Sequence, residues 1–171
     1  TPELGINAAT AGLIVAVYWA LMMVGRFVGA SIGSKVSSRA MLTTVSIATL
    51  LLVSFGMFAP TDITVSVPGI DWANLKLIWA NVPVGIFAFL LVGLCTSVMW
   101  GGIFNMAVEG LGKYTAAASG IFMTMVFGCA VMLFIQAQVA EMTDYMTSYW
   151  VVLFCAAYLL FYALVGSKVK K

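Results

Sequence analysis

Three glycines are the first residues of this chain whose spacing indicates a specific function. Gly25, Gly29 and Gly33 recur every four residues, and a full positive charge, Arg26, stands beside the first of them. The spacing predicts a helix face on which another helix backbone can approach closely. Two interpretations of this row stay open: a permanent packing contact, and a contact that slides or rocks between two states.

Arg26 needs an explanation of its own, because a charge about two turns inside a membrane helix is costly. In one interpretation its guanidinium snorkels to the lipid headgroups. In the other it pairs with Glu109, in the stretch NMAVEGLGKYT, and Arg39 is an equally suitable partner for that carboxylate. Such an ion pair would latch the ends of two helices in one conformation and would break in the other.

The stretch CTSVMWGGIFN brings a tryptophan, hydroxyls and an amide into one segment. Thr96, Trp100 and Asn105 have the chemistry of a sugar site, where an aromatic face covers C–H groups and polar atoms bind hydroxyls. A helix contact with an aromatic filler is the alternative. Further candidates for the path of a solute are Tyr18, Thr124 and Gln136, whereas Tyr149 and Trp150 are typical of interface anchors.

Other chemistries are excluded by what the sequence lacks. It contains no histidine, its three cysteines have no CxxC spacing, and its six acidic residues all fall at predicted helix ends or in loops. We therefore predict no enzyme activity, no metal site, no cofactor and no nucleic-acid partner. A proton or sodium relay needs a carboxylate within the membrane, so any coupling residue must lie outside these 171 residues.

The elements that position these residues follow from composition. The chain is 63% hydrophobic and only 8% charged, with a mean hydropathy of +1.10, which predicts an all-α integral membrane protein. Five segments are long enough to cross a bilayer. They are residues 9–33, 41–59, 82–106, 115–140 and 148–166.

A longer polar link at 60–81 separates the second and third spans. Its prolines and Asp/Asn residues exclude it from the bilayer core. The segment IDWANLKLIW predicts a short interfacial helix with Trp72 and Trp79 at headgroup level. A strand pair built from ITVSV is the competing interpretation.

The basic residues are distributed very unevenly between the two ends of these spans. One end of the spans is formed by the 34–40 link, the 107–114 link and the C-terminal tail. It holds seven basic residues and one acidic residue, whereas the other end holds one basic and five acidic residues. By the positive-inside rule the first end is cytoplasmic and the 60–81 link is extracytoplasmic. Five spans beginning outside suggest a six-span unit whose first helix lies upstream of residue 1.

Two motifs together carry a family resemblance. YWALMMVGRFVGASIGSKVS, followed by NMAVEGLGKYTAAASGIFMTMVFGCAVMLFIQAQVAE, resembles the C-terminal half of major facilitator superfamily sugar transporters, closest to the fucose/glucose/galactose–proton symporters. The resemblance extends from about Leu4 to Val165. It implies five of the twelve spans of a bacterial inner-membrane transporter that works by alternating access against an N-terminal half. The family's cytoplasmic Arg–Glu latch would correspond to Arg26 or Arg39 with Glu109.

Two functions remain as hypotheses from the sequence. The first is secondary active transport of a hexose or similar small polar solute, with a proton coupled through residues of the N-terminal half. The second is a non-transporting scaffold or assembly subunit, complete in itself. In both, the protein is a multi-pass component of the cytoplasmic membrane.

Overall fold

A computed structural model of the chain describes residues 8–33, 35–60, 62–71 and 76–166. The predicted headgroup position of Trp72, the start of the chain and the tail lysines Lys168, Lys170 and Lys171 lie outside these residues. The described elements, in order, are α1 (Ala8–Gly33), α2 (Ser38–Phe58), β1 (Thr64–Asp71), β2 (Lys76–Pro83), α3 (Val84–Val108), α4 (Thr115–Met125), α5 (Phe127–Met142) and α6 (Tyr145–Phe161).

The predicted class, a membrane protein built on five long apolar helical segments, is confirmed. Five segments are long and apolar enough to cross a bilayer, each with a mean hydropathy of 1.9 to 2.2. They cover Thr10–Gly33, Ser38–Phe58, Val84–Val108, Gly112–Met142 and Tyr145–Gly166. These bounds differ from the predicted spans by a few residues at most ends.

The predicted interfacial helix in the 60–81 link is wrong, and the competing strand pair is correct. β1 and β2 pair antiparallel, from Thr64 opposite Pro83 to Asp71 opposite Lys76. Valine, isoleucine and threonine favour extended backbone, and pairing two such segments satisfies those backbone N–H and C=O groups of each strand that face the other. The Ser66 hydroxyl adds a bond by donating to the Asn81 side-chain oxygen at 2.8 Å.

α3 is the central helix, packed against both α1 and α2, and α2 packs in turn against α6. The buried residues of α3 are mostly small, so the backbones of neighbouring helices come close to it. A Cβ built on Gly85 of α3 would lie 2.9 Å from the Gly56 carbonyl oxygen of α2. The buried residues of α2 recur every three or four positions and so lie on one face of the helix. They are Leu42, Ser46, Thr49, Val53 and Gly56.

The fourth span lies within one apolar segment, Gly112–Met142. A single turn residue, Val126, separates α4 from α5, and its N–H is directed at the Met123 and Thr124 carbonyls. The Thr124 hydroxyl donates to the Ile121 carbonyl at 2.7 Å, a local bond of the kind that bends helices. The two parts pack on different partners, α4 on α3 and α5 on α6.

Candidate functional site

The glycine row meets α3 at two of its three positions. A Cβ on Gly25 would overlap the Ser97 hydroxyl oxygen and lie 2.8 Å from the Leu94 carbonyl oxygen. A Cβ on Gly29 would lie 3.0 Å from a Val98 methyl group, whereas nothing lies within 4 Å of one built on Gly33. α1 and α3 are therefore in near-backbone contact at Gly25, and the contact loosens toward Gly33.

Beyond this contact, toward the end that carries Glu109 and Lys113, lies a first cavity of about 590 Å³. We call it the basic-end cavity, and α1, α2 and α3 form it. Among the described residues that line it, none is acidic. Three of the predicted path and latch residues and two glycines of the predicted row line it. They are Arg26, Trp100, Asn105, Gly29 and Gly33, and Ser38, the neighbour of Arg39, lies beside them.

Trp100 stands at the edge of this cavity with 45% of its surface exposed. Its ring makes an edge-type contact with that of Phe122 on α4, with the centroids 5.3 Å apart. Phe122 also contacts Phe104, at 5.4 Å. Both interpretations of Trp100 therefore have structural support, because the residue makes a helix contact and also lines a cavity.

On the opposite side of the Gly25 contact, toward the β-hairpin, lies a second cavity of about 390 Å³. We call it the hairpin-end cavity, and five helices contribute to it. It brings together three predicted path residues from distant parts of the chain, Tyr18, Thr96 and Gln136. The rest of the lining is largely apolar. It consists of Ile14, Val15, Val53, Ile86, Phe89, Leu90, Val92, Tyr149 and Val152.

The hydroxyls of Tyr18 and Thr96 lie 3.3 Å apart, and the surrounding bonds decide which one donates. The Thr96 hydroxyl also lies 3.1 Å from the Val92 carbonyl oxygen and 3.2 Å from that of Gly93. Carbonyls only accept, so the single Thr96 proton is directed at them and Tyr18 donates to Thr96. This leaves the lone pairs of the Tyr18 oxygen available to accept a bond from a ligand hydroxyl.

Thr124 lies apart from both cavities. Its side chain is exposed, and its hydroxyl is used by the bond to Ile121 near the turn residue Val126. The structure therefore divides the six predicted path residues into three groups: Tyr18, Thr96 and Gln136 at the hairpin end, Trp100 and Asn105 at the basic end, and Thr124 near Val126.

The two candidate latch arginines differ in their distance along the bundle from Glu109. Gly25, next to Arg26, lies level with Ser97, and Glu109 is twelve residues further along α3, which is about 18 Å. Ser38, next to Arg39, lies beside Gly102, which is about 10 Å from Glu109 along the same axis. Among the described residues, no ion pair joins Arg26 to Glu109, whose side chain is exposed at the end of α3.

Tyr149 lines a cavity, although its place near the end of a span is typical of an interface anchor. Its neighbour Trp150 is exposed, whereas Tyr149 is half-buried and lines the hairpin-end cavity. A signal for this was present in α6, where the small residues Ser148 and Ala156 repeat with Val152 at four-residue intervals. Such a repeat marks the inward face of a helix, and Tyr149 adjoins it.

Comparison with known proteins gives matches over nearly the whole chain. Sequences named glucose/galactose transporter from two strains of Brucella abortus are each 29% identical to it over 165 residues, which is 96% of this chain and 35% of the relative. A relative from Helicobacter pylori is 27% identical over 170 residues, covering 96% of this chain and 37% of its own. The chain thus spans about a third of the length of these relatives. No family model and no solved structure matches it.

These relatives confirm the resemblance to sugar transporters that the two sequence motifs indicated.

Proposed function

We propose that this chain is the C-terminal part of a secondary transporter that moves a hexose or a similar small polar solute by alternating access. The observation that carries the proposal is the convergence of Tyr18, Thr96 and Gln136 on one cavity, in a chain whose relatives are named glucose/galactose transporters. The cavity has the size of small-molecule sites, with a largely apolar wall and a few convergent polar groups. This function is transport without enzymatic chemistry.

The proposed setting is the bacterial cytoplasmic membrane, with the C-terminus on the cytoplasmic side. The strong bias of basic residues toward one end of the bundle supports this orientation. The partners in this proposal are the solute, the lipid bilayer and an N-terminal half of the same transporter. Proton coupling would pass through that half, since the described spans carry no carboxylate at their centres.

In the proposed mechanism the contact between α1 and α3 separates two access routes. The residues of the hairpin-end cavity lie on one side of Gly25 along α1 and α3 and those of the basic-end cavity mostly on the other, and the two helices are in close contact at Gly25. A solute bound beside Tyr18 reaches the basic end only when the helices move against each other or against the N-terminal half. A pair between Glu109 and an arginine, with Arg39 the nearer candidate, would bias one of the two states.

The test is counterflow exchange with the full-length protein, expressed from its complete reading frame and reconstituted in liposomes. We expect exchange of labelled glucose or galactose that excess unlabelled hexose abolishes, and no exchange of amino acids or organic acids. Failure of every hexose with correctly folded protein would refute transport of this class. It would favour the rival hypothesis of a non-transporting scaffold subunit.

A further inference from the structure

The hairpin-end cavity contains an aromatic pair that no sequence pattern assigned to it. Phe89 on α3 and Tyr149 on α6 stack with their ring centroids 4.5 Å apart and their planes at 30°. Both residues line the cavity that contains Tyr18, Thr96 and Gln136. The pair thus brings two rings and a phenol hydroxyl to a cavity wall that is otherwise aliphatic apart from those three polar residues.

Stacking restrains the Tyr149 ring. Phe89 supports it on one side, and aromatic pairs in this arrangement are more stable than the burial of their area alone explains. Within the described part of the chain the Tyr149 hydroxyl makes no hydrogen bond, so it is available to a ligand. A rigid ring with an unused hydroxyl is the combination by which proteins bind amphipathic ligands.

The polar groups of this cavity fit a neutral ligand with several hydroxyls. Among the described lining residues none is acidic or basic, which disfavours an ionised solute. Tyr18 offers an acceptor because its proton is directed at Thr96, and the Gln136 amide offers both a donor and acceptors. Tyr149 can donate or accept at the α6 side of the cavity.

We propose that Tyr149 is a solute-binding residue of the hairpin-end cavity, held in place by Phe89. Its ring covers the C–H face of a pyranose, because the negative face of an aromatic ring attracts weakly positive C–H groups. Its hydroxyl bonds one of the sugar hydroxyls. The proposal rests on the proposed function, and it makes α6 part of the binding site.

The substitutions that test it are Tyr149→Phe, which keeps the ring and removes the hydroxyl, and Tyr149→Leu, which removes the ring as well. Tyr158→Phe is the matched control, because Tyr158 lies on the same helix with 61% of its surface exposed and lines neither cavity. The readouts are the KM and maximal rate of hexose counterflow in liposomes and the shift in melting temperature that saturating hexose causes in detergent.

We expect Tyr149→Phe to raise KM about 3- to 10-fold, with the maximal rate and the melting temperature without sugar unchanged. Tyr149→Leu raises KM by more than about 10-fold and abolishes the sugar-induced shift, whereas Tyr158→Phe matches the wild type. A wild-type KM in both Tyr149 variants would overturn the assignment while leaving transport intact. Absence of hexose exchange by the wild type would instead overturn the proposed function, and the assignment with it.

Discussion

The contact between α1 and α3 at Gly25 gives the sharpest test of the bundle. Replacing Gly25 with alanine places a methyl group onto the Ser97 hydroxyl and 2.8 Å from the Leu94 carbonyl oxygen. The carbonyl belongs to the α3 backbone, so a side-chain rotation cannot remove that clash. Either α1 moves away from α3 or the backbone of one helix distorts locally.

The expected cost is that of overpacking a filled contact, about 1–3 kcal/mol of unfolding free energy. Gly29→Ala should cost less, because the built Cβ meets only a Val98 methyl group, at 3.0 Å. Gly33→Ala is the matched control in the same row, with nothing within 4 Å, and should change stability by no more than about 0.5 kcal/mol. The predicted order of destabilisation is thus Gly25, then Gly29, then Gly33.

The assay is unfolding of the full-length protein in detergent, followed by tryptophan fluorescence and by the amount of monodisperse protein after heating. Ser97→Gly in the Gly25→Ala background should recover part of the loss, since it removes the hydroxyl clash and leaves the one with Leu94. Equal stability of the three alanine variants would refute the close approach of α1 to α3. A Gly33→Ala variant less stable than Gly25→Ala would refute it as well.

Three further outcomes are expected. Arg39→Ala and Glu109→Gln should each change the accessibility of cysteines introduced at the basic end, because loss of the ion pair shifts the balance between the two conformations. The double variant should change it no further, and unchanged accessibility in both single variants would exclude the latch. Trp100→Ala should reduce hexose uptake much more than the amount of protein in the membrane, whereas parallel losses would make Trp100 a packing residue. Thr96→Val removes the acceptor of the Tyr18 proton and should weaken hexose binding about 10-fold, measured as KM against an unchanged melting temperature.

Local composition was enough to predict the helices. Each span is a largely apolar run whose charges, Arg26 of the first span apart, lie near its ends, and in lipid such a run satisfies its backbone only as a helix. The close approach at Gly25 was likewise predictable, because the four-residue spacing of small residues defines a face without any knowledge of the partner.

The 60–81 link could not be assigned in the same way. Its residues suit either an interfacial helix or strands, and the difference depends on whether 64–71 finds a pairing partner at 76–83. The free energy of a strand pair lies in bonds between segments, so neither segment alone reveals it. The turn residue at Val126 is similar, because the parts on either side of it pack on different neighbours, α4 on α3 and α5 on α6.

The candidate site was predictable only as a set of residue types. Tyrosine, threonine, tryptophan and glutamine within apolar helices indicated a solute path, and the sequence by itself determined that list. Only the tertiary structure placed Tyr18, Thr96 and Gln136 in one cavity and Trp100 in another. The physical reason is that the rotation of each helix about its axis is decided by packing against its neighbours, and a nearly uniform apolar helix carries little local signal of that rotation.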